Sequence, residues 1–130
     1  MSEATTTNSF RTRLASHMFN DTTLPPVAYM AFGDGGHTLQ PDGTSVVKAA
    51  DANRTTLYNE LLRKSLAGLI QEDSLSLTAT GRIENTDLIG QTISEAALLD
   101  SDFNMLGFRN FAPKVKEADE TYDIKIKLKF

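Results

Sequence analysis

Glu84, Asp87, Glu95, Asp100 and Asp102, together with His17 and His37, are among the side chains of this sequence whose types suit acid–base or metal chemistry. Glycoside cleavage would need two of those carboxylates at a fixed separation beside a sugar cleft dressed with aromatics, and the chain has no Trp and three Tyr. A nucleophilic triad would need a histidine to meet a serine and an acid, and neither histidine sits in a strand–turn–helix nucleophile elbow. His37 lies close in sequence to Asp34 and Asp42, a pattern a loop metal could use. The Cys/His spacing of zinc and the spaced carboxylates of a calcium loop are both missing, so these read as polar loop residues, with no metal and no cofactor. Glu95, within Ile93-Ser94-Glu95-Ala96, is expected to form a cross-strand ion pair with Arg109 on the facing strand.

Gly33-Asp34-Gly35-Gly36 has the glycine density of a phosphate loop but lacks what such a loop requires. No Gly-Lys-Ser/Thr follows, and Thr38-Leu39-Gln40-Pro41 does not open a helix. The run is expected to be a structural corner, its glycines accepting left-handed backbone and Asp34 accepting hydrogen bonds from nearby N–H groups. Lys125, Lys127 and Lys129 alternate with Ile124, Ile126 and Leu128, so they should line one face of a strand ending at Phe130. Those lysines and Phe130 form the candidate contact surface, although lysines on a strand also guard an edge against aggregation.

At 130 residues the chain suits one domain, large enough to bury a core without staples. The absence of Cys excludes thiol nucleophiles, thiolate zinc and disulfides. A net charge of −4 argues against phosphate-backbone binding, so no nucleic-acid partner is expected. No apolar run approaches a membrane span, and Met1-Ser2-Glu3-Ala4-Thr5 is acidic and polar where a secretory signal would be basic and then apolar. A soluble protein made in the cytoplasm, without a membrane partner, is the expectation.

Positioning these groups falls to a series of elements read from periodicity. Residues Met1–Ser9 read as a flexible polar tail, and 10–130 as the folded domain. Phe10, Leu14, Met18 and Phe19 recur at helical spacing, with Asn8 or Ser9 as cap, and the helix must stop before Pro25-Pro26. Val27–Phe32, apolar on both faces, predicts a central strand. A long excursion from Gly36 to Asp51 holds the turn Pro41-Asp42-Gly43 and a short extended Ser45-Val46-Val47. Leu57, Tyr58, Leu61, Leu62, Leu66, Leu69 and Ile70 form a stripe that predicts a second helix capped by Asp51 or Asn53. Alternation then predicts strands at Leu75–Ile83, with a bulge or bend at Gly81, at Gln91–Leu99, at Met105–Phe111 beyond an Asp100-Ser101-Asp102 turn, and at Thr121–Phe130. The sum is a single α+β domain, a mainly antiparallel sheet packed with two helices.

Taken in order, several of these pieces resemble the N-terminal, baseplate-attaching domain of P2-like phage tail-collar fibre proteins. They are the opening helix, the strand ending in Phe32-Gly33-Asp34-Gly35-Gly36, the segment Thr56-Leu57-Tyr58-Asn59-Glu60, the alternating strand Leu75–Ala79, Thr92-Ile93-Ser94-Glu95-Ala96-Ala97-Leu98-Leu99-Asp100, and the Phe103-Asn104-Met105-Leu106 turn. The resemblance runs from about Phe10 to Phe130. It implies a structural virion protein of a contractile tail or tail-like particle, made in the host cytoplasm and placed at the baseplate. There it would hold fibre to baseplate in multiple copies, with other tail, baseplate or fibre proteins as partners and without enzymatic activity. In that family further fibre sequence follows the domain, whereas here the chain stops at the last predicted strand, so attachment rather than host-receptor recognition is the implied role. The alternative reading is a small carbohydrate- or ligand-binding module on the particle surface.

Overall fold

A strand that is apolar on both faces needs a hydrogen-bonded neighbour on each side and a cover on each face. The computed structural model, which describes residues 4–20 and 23–129, supplies both. In chain order the elements are β1 Thr5–Thr6, α1 Asn8–Asn20, β2 Val27–Gly33, β3 His37–Leu39, β4 Ser45–Val47, β5 Glu60–Ser65, β6 Gly68–Asp73, β7 Ser76–Ile83, β8 Thr92–Asp100, β9 Met105–Val115 and β10 Tyr122–Lys129. They form an antiparallel five-stranded sheet in the order β1-β9-β8-β2-β5, a three-stranded sheet β10-β7-β6, and the small hairpin β3-β4. β2 therefore sits inside its sheet, between β8 and β5.

The two larger sheets bury a common core. Met30, Phe32, Ala96 and Leu98 from the first meet Ala79, Ile83, Ile126 and Leu128 from the second, and Phe10 of α1 joins them. The other face of β2 and β8 carries Ala31, Ala97 and Leu99, continued across the sheet by their β9 partners Phe108 and Met105 and covered by Leu57 from the segment before β5. Among the described residues the molecule is one small, mostly antiparallel β domain with a single helix.

The expected second helix is a correction. Residues 54–59 are irregular and 60–73 make β5 and β6, which change sheets at Leu66-Ala67. The helical spacing of the leucines is real, but each serves a different layer. Leu57 covers the outer face, Leu62 and Leu66 pack on the main core, and Leu69 and Ile70 stay exposed. As β5 the segment pairs with the edge of β2 that β8 leaves open, giving backbone groups of that central strand their partners, and tertiary context overrode local spacing.

The N-terminal segment is also more ordered than its polarity suggests. Thr5 and Thr6 pair with Phe108 and Gly107 of β9, and Thr7 is fully buried. Thr7, rather than Asn8 or Ser9, caps α1: its Oγ1 accepts from Phe10 N at 3.3 Å while donating to the Met105 carbonyl at 2.9 Å. Met1–Glu3 lie outside the described residues. Gly81 is no bulge, since its register with Ile124 is regular; a Cβ there would strike Met30 and Phe32, so the glycine allows the sheets to approach. No helix of the described residues is long and apolar enough to cross a membrane.

Candidate functional site

The Gly33–Gly36 corner ends β2, and the backbone explains its glycines differently from the sequence. None of the three has positive φ; among the described residues that conformation falls to Gly43 and Gly90, and to Leu88 and Phe103. What the corner requires is close approach. A Cβ on Gly33 would meet the Asn59 carbonyl, one on Gly35 would lie 2.8 Å from Glu95 Oε2, and one on Gly36 would overlap the Ser94 carbonyl.

Those three glycines make room for Glu95, which is fully buried. Its Oε2 accepts from Gly35 N and Asn59 N, both at 2.9 Å, and its Oε1 accepts from Tyr58 N at 3.0 Å and Arg54 Nη2 at 2.7 Å. A carboxylate has about four acceptor sites, so this one is saturated. Burial pushes the Glu95 carboxyl up, but the Asn59, Arg54, Tyr58 and Gly35 donors outweigh it and hold the group below its ordinary value. The expected pair with Arg109 is therefore a correction. Carried back from Leu99 opposite Met105, the register would set Glu95 opposite Arg109, but the shift between Leu98 and Leu99 sets Glu95 opposite Asn110 and Arg109 opposite Ala96, and Arg109 donates instead to the Lys125 carbonyl at 3.1 Å.

Arg54 is the partner that sequence reasoning missed. It is 6% exposed, donates through Nη1 to Asn110 Oδ1 at 3.0 Å, and stacks 3.7 Å from the Tyr58 ring centroid and 4.6 Å from that of Phe108. Asn110 in turn donates to the Lys48 carbonyl at 3.2 Å. One signal was available: a charged residue alone in the uncharged run Ala52-Asn53-Arg54-Thr55-Thr56, in a chain whose strand carries an acid among apolar neighbours.

The remaining candidates are parted. Asp34 accepts from Asn59 Nδ2 at 2.6 Å, a side-chain donor rather than the expected backbone N–H. Ser94 Oγ accepts from Gly36 N at 2.9 Å and lies 2.8 Å from His37 Nδ1. Asp42 is held by Thr44, whose hydroxyl and N–H lower its carboxyl below the ordinary value. Asp34, His37 and Asp42 thus serve three separate contacts. Asp87 binds Lys64 at 2.6 Å. Asp102 donates its backbone N–H to Asp100.

Asp100 makes a second lock. Fully buried, it takes Arg13 Nη1 of α1 at 2.7 Å and the N–H groups of Asp102 and Asn104 at 2.9 Å. Burial raises its carboxyl, but Arg13 and Asn104 together leave it below the ordinary value. Helix and β8–β9 turn are tied by this pair.

Comparison of the chain with protein-family profiles and with curated proteins finds no match.

On β10, Lys125, Lys127 and Lys129 are exposed while Ile126 and Leu128 are fully buried. Phe130, the fourth candidate contact residue, lies outside the described residues. Beside the start of β10 is a groove of about 590 Å³ lined by Ile93, Phe111, Lys114, Tyr122 and Ile124, with Lys114 Nζ 4.2 Å from the Tyr122 ring centroid.

Proposed function

We propose that this protein is a structural component of a contractile phage tail or a phage-derived tail-like particle, joining fibre to baseplate by contact rather than by turnover. One observation carries the reading. Three of the segments that resemble the tail-collar fibre domain, Phe32–Gly36, Thr56–Glu60 and Thr92–Asp100, lie far apart in sequence and converge on the single carboxylate of Glu95. Residues that close on one hydrogen-bonded lock help to specify this fold, and that these segments supply them supports the reading. The lock also gives Glu95 a structural role, since its acceptor sites are filled by its own chain.

The test is composition. Tail particles purified from cells carrying a tagged copy are expected to contain this chain in stoichiometric amount, retained through high-salt washing. Its absence from washed particles would refute the assignment.

The groove beside Tyr122 favours a second reading, a small carbohydrate- or ligand-binding module, because an aromatic ring and a cation line one concave surface. Glycan binding by the isolated chain, lost in Tyr122→Ala, would establish that reading in place of the first.

A further inference from the structure

The three-stranded sheet ends in two strands of opposite character. β10 presents Lys125, Lys127 and Lys129 on its outer face. β6, the other end of the same sheet, is exposed almost throughout, with Ile70 at 64% exposure followed by Gln71, Glu72 and Asp73. The registers put these in shared rows: Lys127, Thr78 and Ile70 in one, Lys129, Ser76 and Asp73 in the next.

We infer that copies of this chain associate head to tail, the β6 edge of one docking against the β10 edge of the next, so that their three-stranded sheets run on as one. Both edge strands are antiparallel to β7 and so run the same way, which makes the new contact parallel between copies of like orientation. In that arrangement the methylene stem of Lys127 covers Ile70 of its neighbour, an apolar side chain its own molecule leaves in water. The ammonium groups of Lys127 and Lys129 reach Glu72 and Asp73. Charge selects this pairing over a two-fold one, since β10 against β10 would set lysine opposite lysine. Arg109 already caps the Lys125 carbonyl, which confines the contact to the Lys127–Lys129 end. A heterologous contact of this kind builds a ring or a filament rather than a closed dimer. The inference deepens the assembly reading above and rests on it for its setting.

Sedimentation of the full chain over a concentration series tests it. The parent is expected to form species larger than a dimer as concentration rises, and to lose them in high salt as the charges are screened. Lys127→Glu/Lys129→Glu and Gln71→Lys/Glu72→Lys, each with unchanged circular dichroism and melting midpoint, should each associate at least tenfold more weakly alone. Their equimolar mixture should associate like the parent, because each variant now offers the edge the other needs. A parent that stays monomeric, variants that associate as the parent does, or a mixture that does not recover would each overturn the contact. A chain monomeric alone yet incorporated into particles removes this contact and leaves the attachment reading standing; a chain that associates but is absent from particles does the reverse.

Discussion

Glu95 organises its surroundings because every donor aimed at it comes from a segment that would otherwise be loose: the Gly35 corner, the Tyr58-Asn59 turn and Arg54. Removing its charge leaves the buried guanidinium of Arg54 without a counter-ion. Glu95→Gln should cost about 3–5 kcal/mol, read as a lower urea midpoint with unchanged slope. Acid should act on the same bonds. Glu95 and Asp100 are held below their ordinary values of 4.5 and 3.8, so the stability they contribute is complete above those values and is lost as pH falls through the lower folded-state ones. A midpoint that is flat from about pH 7 to about pH 5 and falls below the ordinary carboxyl range is expected, with a shallower fall in Glu95→Gln. At the corner, Gly36→Ala should cost about 1–3 kcal/mol or more through overlap with the Ser94 carbonyl, and an unchanged melting midpoint would remove the close-approach account. The sequence marked this corner through its glycines, yet misassigned the cause, since φ is not written in residue type and the Glu95 carboxylate arrives from 60 residues away.

At the scale of elements, strands that alternate or are apolar on both faces were legible and the segment serving several layers was not. β2, β7, β8 and β10 follow their apolar patterns closely, and the Asp42-Gly43 turn follows from Gly43 at φ 88°. The run from Leu57 to Ile70 failed because its leucines face an outer cover, a core and solvent in turn, and their summed spacing imitates one helical stripe. β5 exists because β2 has an edge to fill, which is a fact about residues 27–33 rather than about 60–65. The expected Glu95–Arg109 pair failed for a related reason, as a single register shift moves a side chain to another partner. If the segment before β5 is a cover, Leu57 is its anchor at 8% exposure. Leu57→Ala should then cost about 2–4 kcal/mol by chemical denaturation, and a loss within about 0.5 kcal/mol would show that the outer face of β2 and β8 does not depend on it.

For the whole molecule, the layout separates what holds the domain together from what it offers outward. The Glu95 and Asp100 locks are internal, while the lysine strand, the acidic edge with its exposed Ile70, and Met18 and Phe19 at 85% and 86% exposure on α1 face away from the core. A domain with a hydrogen-bonded interior and charged, partly apolar margins is compatible with the attachment role proposed above. The measurement that bears most directly on this account is the fibre content of particles assembled without this chain. Particles purified from a deletion strain, quantified for fibre protein against tail-tube protein, are expected to keep tube and baseplate and to lose their fibres, with restoration by the parent chain. Particles that retain a full complement of fibres would contradict the account.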